Sequence, residues 1–435
     1  MAGKPVRSEA QAPAVRPVDE KILAGYAGVY EWKPDAFLYI QMWSEFAGKN
    51  QLVAFDESGE VRTLYPLDDE RFFAGPGAAL PTAIESRVEF QRNGQGKPIA
   101  LTWRKVGESP RTARRVEIER REDVTFSSGA LHLAGSLISP ATRGKHAAII
   151  LVHGSGAEDR EYMLPFARFL IRHGVAVFGY DKRGVGGSTG DWNTASFEDL
   201  AGDVVAAFAY LKTRNDVDPR QIGLLGVSQA GWVMPLAAVR AKDIAFLISI
   251  SGAGVSPAET TIDEAEREMA AGGLPPQGIQ RIVGLMRLQY EFARTGRGWE
   301  EYAAARAQIV ARMGAAPSTF PGAQNDPYWQ FIRRLYFYDP GPTLRQLRTP
   351  VLALFGELDD NILAGKNKNA WEAALKAGNH PDYTLRIVPR ADHLQLEAKT
   401  GTNAEMASLQ RFVPAYFATV QDWLAKRITS FKASR

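Results

Sequence analysis

Six short apolar runs in the later two-thirds of the chain set the strongest limit on its fold. They are Ala147–Val152, Val175–Tyr180, Ile222–Gly226, Ile244–Ile250, Pro350–Phe355 and Tyr383–Val388. Ala147–Val152, apolar throughout and without polar alternation, is what a parallel strand covered on both faces requires. Between the runs lie helical patterns. Leu164, Phe166, Phe169 and Leu170 recur near a 3.6-residue period and Gly174 closes them as a C-cap. Ser196 caps a second helix with Asp199 three residues on, and Leu200, Val204, Phe208 and Leu211 form its buried stripe. Strands alternating with helices predict an α/β fold built on a doubly wound, mostly parallel sheet. Right-handed crossovers then place helices on both faces and the functional loops at the strand C-termini.

A chain of 435 residues exceeds one ordinary domain. Residues 18–121 carry a different pattern, short β-branched and aromatic runs such as Gly28–Trp32, Phe37–Trp43, Val61–Tyr65 and Arg87–Gln91, broken by turns like Asp56–Gly59 and Arg92–Gly96. Spacing of this kind predicts a small all-β domain, an open barrel or curled sheet. It resembles the small lipocalin-like β-modules attached to serine hydrolases and β-lactamase-like enzymes. Residues 1–17 are rich in Ala, Pro and charge and read as a disordered lead-in, without the apolar centre of a signal peptide. They are equally compatible with a signal removed earlier, so a secreted or periplasmic location stays open.

The core is expected at 122–255 and 349–435, opening with a hairpin whose strands are Val124–Phe126 and Leu131–Ile138. Residues 256–348 interrupt the alternation with helical pattern alone, over Glu259–Met269, Gln277–Arg294, Trp299–Met313 and Tyr328–Leu335. An insertion of that length in a compact fold predicts a lid or cap over a site. Its aromatic residues are expected mainly in its own core.

Ile222–Gly226 runs into Val227-Ser228-Gln229-Ala230-Gly231 and then a helical segment. This is the layout of a sharp strand-to-helix turn that raises a serine hydroxyl above the end of a sheet. Ala230 stands where a second glycine is usual, and Gly231 follows one place late. A serine hydroxyl needs an imidazole to take its proton, and the imidazole needs a carboxylate to fix its tautomer. Of six histidines, His153 directly follows a core strand but opens the glycine-rich loop on the oxyanion side, where it shapes the loop, and His393 follows another by a short loop at its C-terminal end. Asp359, after Pro350–Phe355, is the expected carboxylate, with Asp360 and then Glu357 behind it. Leu151-Val152-His153-Gly154-Ser155-Gly156 leaves the first parallel strand as a glycine-rich loop. Main-chain N–H groups of Ser155 or its neighbour Gly154, with that of Gln229, are the expected oxyanion donors.

His153-Gly-Ser-Gly, Tyr180-Asp-Lys-Arg-Gly-Val-Gly-Gly-Ser188, Gly226-Val-Ser-Gln-Ala-Gly, Gly356-Glu-Leu-Asp359 and Asp392-His393 together resemble the α/β-hydrolase superfamily. The likeness runs from about Val124 to the C-terminus and is greatest to bacterial esterases and prolyl-oligopeptidase-related serine hydrolases. The order Ser228, Asp359, His393 is that of the superfamily. The resemblance implies that Asp181 and Arg183 are structural. It implies a carboxylic-ester hydrolase, with a serine peptidase or amidase, an acyltransferase and a non-catalytic hydrolase-fold binding protein as alternatives.

The expected partner is a small ester with an apolar acyl or aryl part, with no cofactor or metal and with homodimerisation open. A net charge of +3 with scattered basic residues argues against nucleic acid, and the local run Arg111, Arg114, Arg115, Arg120 and Arg121 reads as a solvated strand face or linker. The absence of cysteine excludes disulfides and thiolate chemistry. No run approaches the ~18 apolar residues of a membrane span.

Overall fold

The structure, a computed structural model, describes residues 14–43, 51–314 and 317–431. The lead-in expected at 1–17 therefore lies, up to residue 13, outside the described residues. A short helix, α1 (Glu20–Tyr26), precedes eight antiparallel strands: β1 (Gly28–Lys33), β2 (Ala36–Met42), β3 (Leu52–Asp56), β4 (Val61–Pro66), β5 (Arg71–Ala74), β6 (Ser86–Arg92), β7 (Pro98–Lys105) and β8 (Arg111–Val116). They pair in sequence order and close into a barrel, where an open barrel or curled sheet was the expectation. The closing strand, β8, carries the first three members of the arginine run, while Arg120 and Arg121 fall in the next strand of the chain. In β8 Ala113 faces inward, while Arg111 stacks on Trp32 at 4.4 Å and Arg115 donates to the Gly25 and Ala27 carbonyls. Arg114 and Arg115 then pair with β1. Long arginine stems lying along aromatic rings satisfy a strand whose side chains show no apolar alternation.

The second sheet has eight strands: β9 (Glu119–Ser128), β10 (Leu131–Pro140), β11 (His146–Val152), β12 (Val175–Tyr180), β13 (Val217–Val227), β14 (Leu247–Ile250), β15 (Val351–Gly356) and β16 (Tyr383–Val388). Their order is β16-β15-β14-β13-β11-β12-β10-β9. Strands β11 to β16 are mutually parallel, and the hairpin β9–β10 adds the antiparallel edge. The helix expected before Gly174 forms instead as two 3-10 turns, Leu164–Phe166 and Arg168–His173, separated by Ala167 at φ −135°. Gly174, at φ 90°, ends the second one as expected.

One face of the sheet is covered by α2 (Phe197–Lys212), α3 (Ala230–Arg240), α9 (Ala364–Ala377) and α8 (Gly341–Gln346), the last lying inside the expected insertion 256–348 but packing through Leu344 on the sheet. The other face packs on α10 (Pro414–Ala425), the 3-10 turns and one side of the barrel, with Val29, Tyr39 and Phe55 sharing a core with Phe166, Phe412 and Tyr416. Between β14 and α8 stand four helices: α4 (Pro257–Ala271), α5 (Pro276–Thr295), α6 (Trp299–Met313) and α7 (Tyr328–Leu335). They have a core of their own, with Tyr290, Phe292, Tyr302 and Trp329 buried in it.

The barrel is joined to the sheet by main-chain pairing. After His393 the chain makes an excursion to Val413, closed at its base by Val413 N–H to the Gln395 carbonyl at 2.8 Å. Its outer limb bonds to the barrel: Val61 N–H to Gln410 at 3.0 Å, Phe412 N–H to Gly59 at 2.8 Å, and Ala79 N–H to Ala407 at 2.9 Å. Gly401, at φ 77°, lies so close to the Leu358 carbonyl that an added Cβ would be 1.6 Å from its oxygen. The excursion thus touches the barrel at one end and the loop carrying Asp359 at the other.

Candidate active site

Ser228 occupies the turn between β13 and α3 with φ 57°, a left-handed conformation that a non-glycine residue adopts only when its surroundings enforce it. Two bonds enforce it here: Ser228 N–H to the Ile250 carbonyl at 3.0 Å and Gly231 N–H to the Ser228 carbonyl at 2.9 Å. The glycine pattern follows from the packing. A Cβ on Gly226 would fall 2.4 Å from the Cβ of Ala230, so the methyl group of Ala230 fits because Gly226 has none. Gly231 is the position that meets another backbone, since a Cβ there would lie 2.6 Å from Ala253 N. Displacing the second glycine by one residue therefore suits this turn.

His393 and Asp359 come together as their strand ends predict. His393 Nδ1 lies 3.0 Å from both carboxylate oxygens of Asp359. Asp359 Oδ1 also accepts the N–H groups of Asn361 at 3.0 Å and Ile362 at 2.7 Å, which fix the carboxylate. The two acids ranked behind it are engaged elsewhere. Asp360 pairs with Arg267 of α4 at 2.5 Å, and Glu357 accepts the Arg390 N–H at 2.9 Å. Burial pulls the His393 pKa down, but the charge and hydrogen bond of Asp359 outweigh it and hold the imidazole up at about 9. Other histidines are occupied by carbonyls: His146 by Thr142, His380 by Thr349 and His153 by Tyr180. Burial, with Lys182 nearby, lowers His153 to about 3, so its ring is neutral and donates to Tyr180 at 2.6 Å.

Ser228 and His393 line one cavity of about 440 Å³. Gly154, Ser155 and Gln229 line it too, as do Trp192, Phe197 and Trp232 from the sheet side and Phe331 and Tyr336 from α7 and its end. Gly154 carries a correction: its N–H, one of the expected oxyanion donors, is already given to the Glu158 carboxylate at 2.8 Å. Ser155 and Gln229 are the expected donors that remain. Asp181 accepts from Arg160 and from Gly187 N–H, while Arg183 pairs with Asp203 at 2.8 Å, so both brace the loop beside the serine turn.

Glu158 and Lys182 also line the cavity and carried no assigned role in the sequence, while Glu264 is one of four helix acids, with Glu259, Asp263 and Glu266, that the sequence left open between binding a substrate amine and a solvated face. Lys182 stood inside a motif and Glu264 among the acids of a helix, and only the fold turns them inward. Glu264 is raised to about 7 by burial and by neighbouring Glu268. Among the described residues no group of three or more His, Asp or Glu could hold a metal ion, and no helix is long and apolar enough to cross a membrane.

A family model described as the alpha/beta hydrolase family matches residues 149–404, more than half of the chain. YfhR of Salmonella typhi is 35% identical over 115 residues, which is 25% of this chain and 38% of that protein. The chain thus spans well under half the length of this curated relative. Among solved structures, the Pyrococcus furiosus esterase Pf2001 superposes with a TM-score of 0.42 at 17% identity, covering 63% of this chain and 83% of the other. Proline iminopeptidase from Mycobacterium smegmatis superposes with a TM-score of 0.44 at 18% identity, covering 70% and 98%.

Proposed function

This chain belongs to the alpha/beta hydrolase family, and we propose that it is a serine hydrolase of carboxylic esters. Ser228 Oγ attacks the acyl carbonyl, and His393 takes the hydroxyl proton and passes it to the departing alcohol. In the neutral ring, the form favoured as pH rises toward 9, Asp359 holds the proton on Nδ1, so that Nε2 is the base. Water, activated by the same imidazole, then releases the acyl group from the serine. The N–H groups of Ser155 and Gln229 receive the oxyanion, each such donor contributing ~3–4 kcal/mol to the barrier reduction. The observation that carries this reading is the Asp359–His393 contact, 3.0 Å to both oxygens, at the cavity that holds a strained Ser228.

The aromatic wall of Trp192, Phe197, Trp232 and Phe331 supports an ester with an apolar acyl or aryl part as substrate. We read α4 to α7 as the lid that controls entry. A peptidase or amidase reading has one observation in its favour, the Glu264 carboxyl in the cavity, which could anchor a substrate amine. A p-nitrophenyl ester and the matching p-nitroanilide distinguish the two. We expect the ester to be turned over at least tenfold faster, the ratio measured by kcat/KM; preference for the anilide overturns the ester reading.

A further inference from the structure

The loop bearing Ser155 and the turn bearing Gln229 follow strands β11 and β13, and one side chain joins them. Lys182, just past the C-terminal end of β12, is 2% exposed. Its Nζ donates to the Gly154 carbonyl at 2.7 Å, the Gly156 carbonyl at 2.9 Å and the side-chain oxygen of Gln229 at 3.2 Å. An ammonium has three hydrogens and no acceptor, so these contacts use it fully. Glu158 completes the arrangement from the loop side: its carboxylate takes the Gly154 N–H at 2.8 Å, and its carbonyl takes the Lys182 N–H at 3.1 Å.

The consequence lies in peptide geometry. A trans peptide points its carbonyl and its N–H in opposite directions. A lysine that draws in the Gly154 carbonyl therefore fixes the Ser155 N–H facing away from itself. The same ammonium, by holding the Gln229 side chain, ties that loop to the N-cap residue of α3, whose N–H is the second expected donor. A carbonyl-rich loop could otherwise turn either face to the cavity. An oxyanion donor contributes only when it is already aimed at the place where charge develops.

We propose that Lys182 is a positioning residue that sets the orientation and separation of the Ser155 and Gln229 N–H donors, so that its loss weakens binding of the tetrahedral oxyanion and leaves ground-state binding intact. This rests on the Ser228 reading. Lys182 touches neither substrate nor the reacting atoms in it; it acts through the two main-chain groups.

The test compares wild type with K182M and with K182M/E158Q. Removing the lysine alone takes a cation away from the buried Glu158, which can destabilise the fold; the double variant removes both charges and keeps an amide oxygen for the Gly154 N–H. Melting temperature, kcat and KM on a p-nitrophenyl ester, and the Kd of a trifluoromethyl ketone that forms a tetrahedral adduct on serine are measured for all three. We expect both variants to lose about 10- to 100-fold in kcat with KM within twofold, somewhat less than the 10²–10³ of deleting a donor outright. The ketone Kd should rise by the same factor. Unchanged kcat in K182M, or recovery of wild-type kcat in the double variant, overturns the proposal and leaves Lys182 as a charge partner of Glu158. A wild type that neither turns over the ester nor binds the ketone removes the Ser228 premise, and the inference with it.

Discussion

Replacing Asp359 by Asn tests the Ser228–His393–Asp359 account through the least visible member of the set. The structure fixes how the amide would sit. The Oδ1 position accepts two main-chain N–H groups, from Asn361 and Ile362, at 3.0 and 2.7 Å. An asparagine must place its oxygen there, because an NH2 would face two donors. Its NH2 group then occupies the Oδ2 position, 3.0 Å from His393 Nδ1; Oδ1 is equally near but already accepts two N–H groups, so the NH2 is the partner that donates to Nδ1. The imidazole proton is thereby moved to Nε2, and the ring meets Ser228 as a donor with no lone pair to act as base. Trapping the wrong tautomer costs about 10⁴ in kcat, which at 1.36 kcal/mol per tenfold is about 5.4 kcal/mol of barrier. The change is nearly isosteric and every other bond at the site keeps a partner, so stability should move little. The assay is ester turnover at pH 7 to 9 beside a thermal melt and a circular-dichroism spectrum. A D359N protein that is folded and retains more than a tenth of wild-type kcat would refute the tautomer argument.

Two further outcomes follow from the same region. Burial raises the Asp392 carboxyl to about 7, against an unfolded value near 3.9. Its ionised form is thus disfavoured in the fold, a penalty absent below about pH 4, growing as pH rises to 7 and constant above, on the order of 4 kcal/mol. D392N, which can still accept the Leu394 and Leu396 N–H groups, should gain in melting temperature over wild type progressively from pH 4 to 7; a pH-independent difference contradicts this. G401A sets a Cβ 1.6 Å from the Leu358 oxygen at φ 77°, so it should lose about 2 kcal/mol in urea unfolding. It should also lose ester turnover in excess of the unfolded fraction, because Leu358 adjoins Asp359; full activity in the folded fraction contradicts the coupling.

The architecture of the sheet was legible because the central strands are apolar runs closed by Gly, Pro or polar residues, and such runs need no long-range information; the edge strand β16, with Thr384 and Arg386, is the least apolar of the runs. The serine turn was legible for a local reason as well: Gly226 and Gly231 mark close backbone approach wherever they occur. Pairing Asp359 with His393 required only that both follow strand ends of one parallel sheet. The unread parts depend on contacts between distant residues. Strand β8 closes the barrel by laying Arg111 and Arg115 on Trp32 and Tyr30, which no alternation of apolar residues announces. The 3-10 turns before Gly174 share their apolar residues with an α-helix, and only the break at Ala167 separates the two. The excursion from His393 to Val413 joins the barrel through main-chain groups, to which the sequence is blind. Lys182 and Glu158 are 24 positions apart in the chain, and their joint hold on the Ser155 loop exists only once β11 and β12 lie side by side.

The claim on which the rest depends is that Ser228 is the nucleophile. A fluorophosphonate incubated with the folded protein, followed by peptide mass mapping, measures this directly, with S228A as the control. We expect a single adduct on the peptide containing Ser228, loss of ester turnover in proportion to its formation, and no adduct on S228A. An unlabelled wild type, or an adduct carried by another serine such as Ser155, would contradict it.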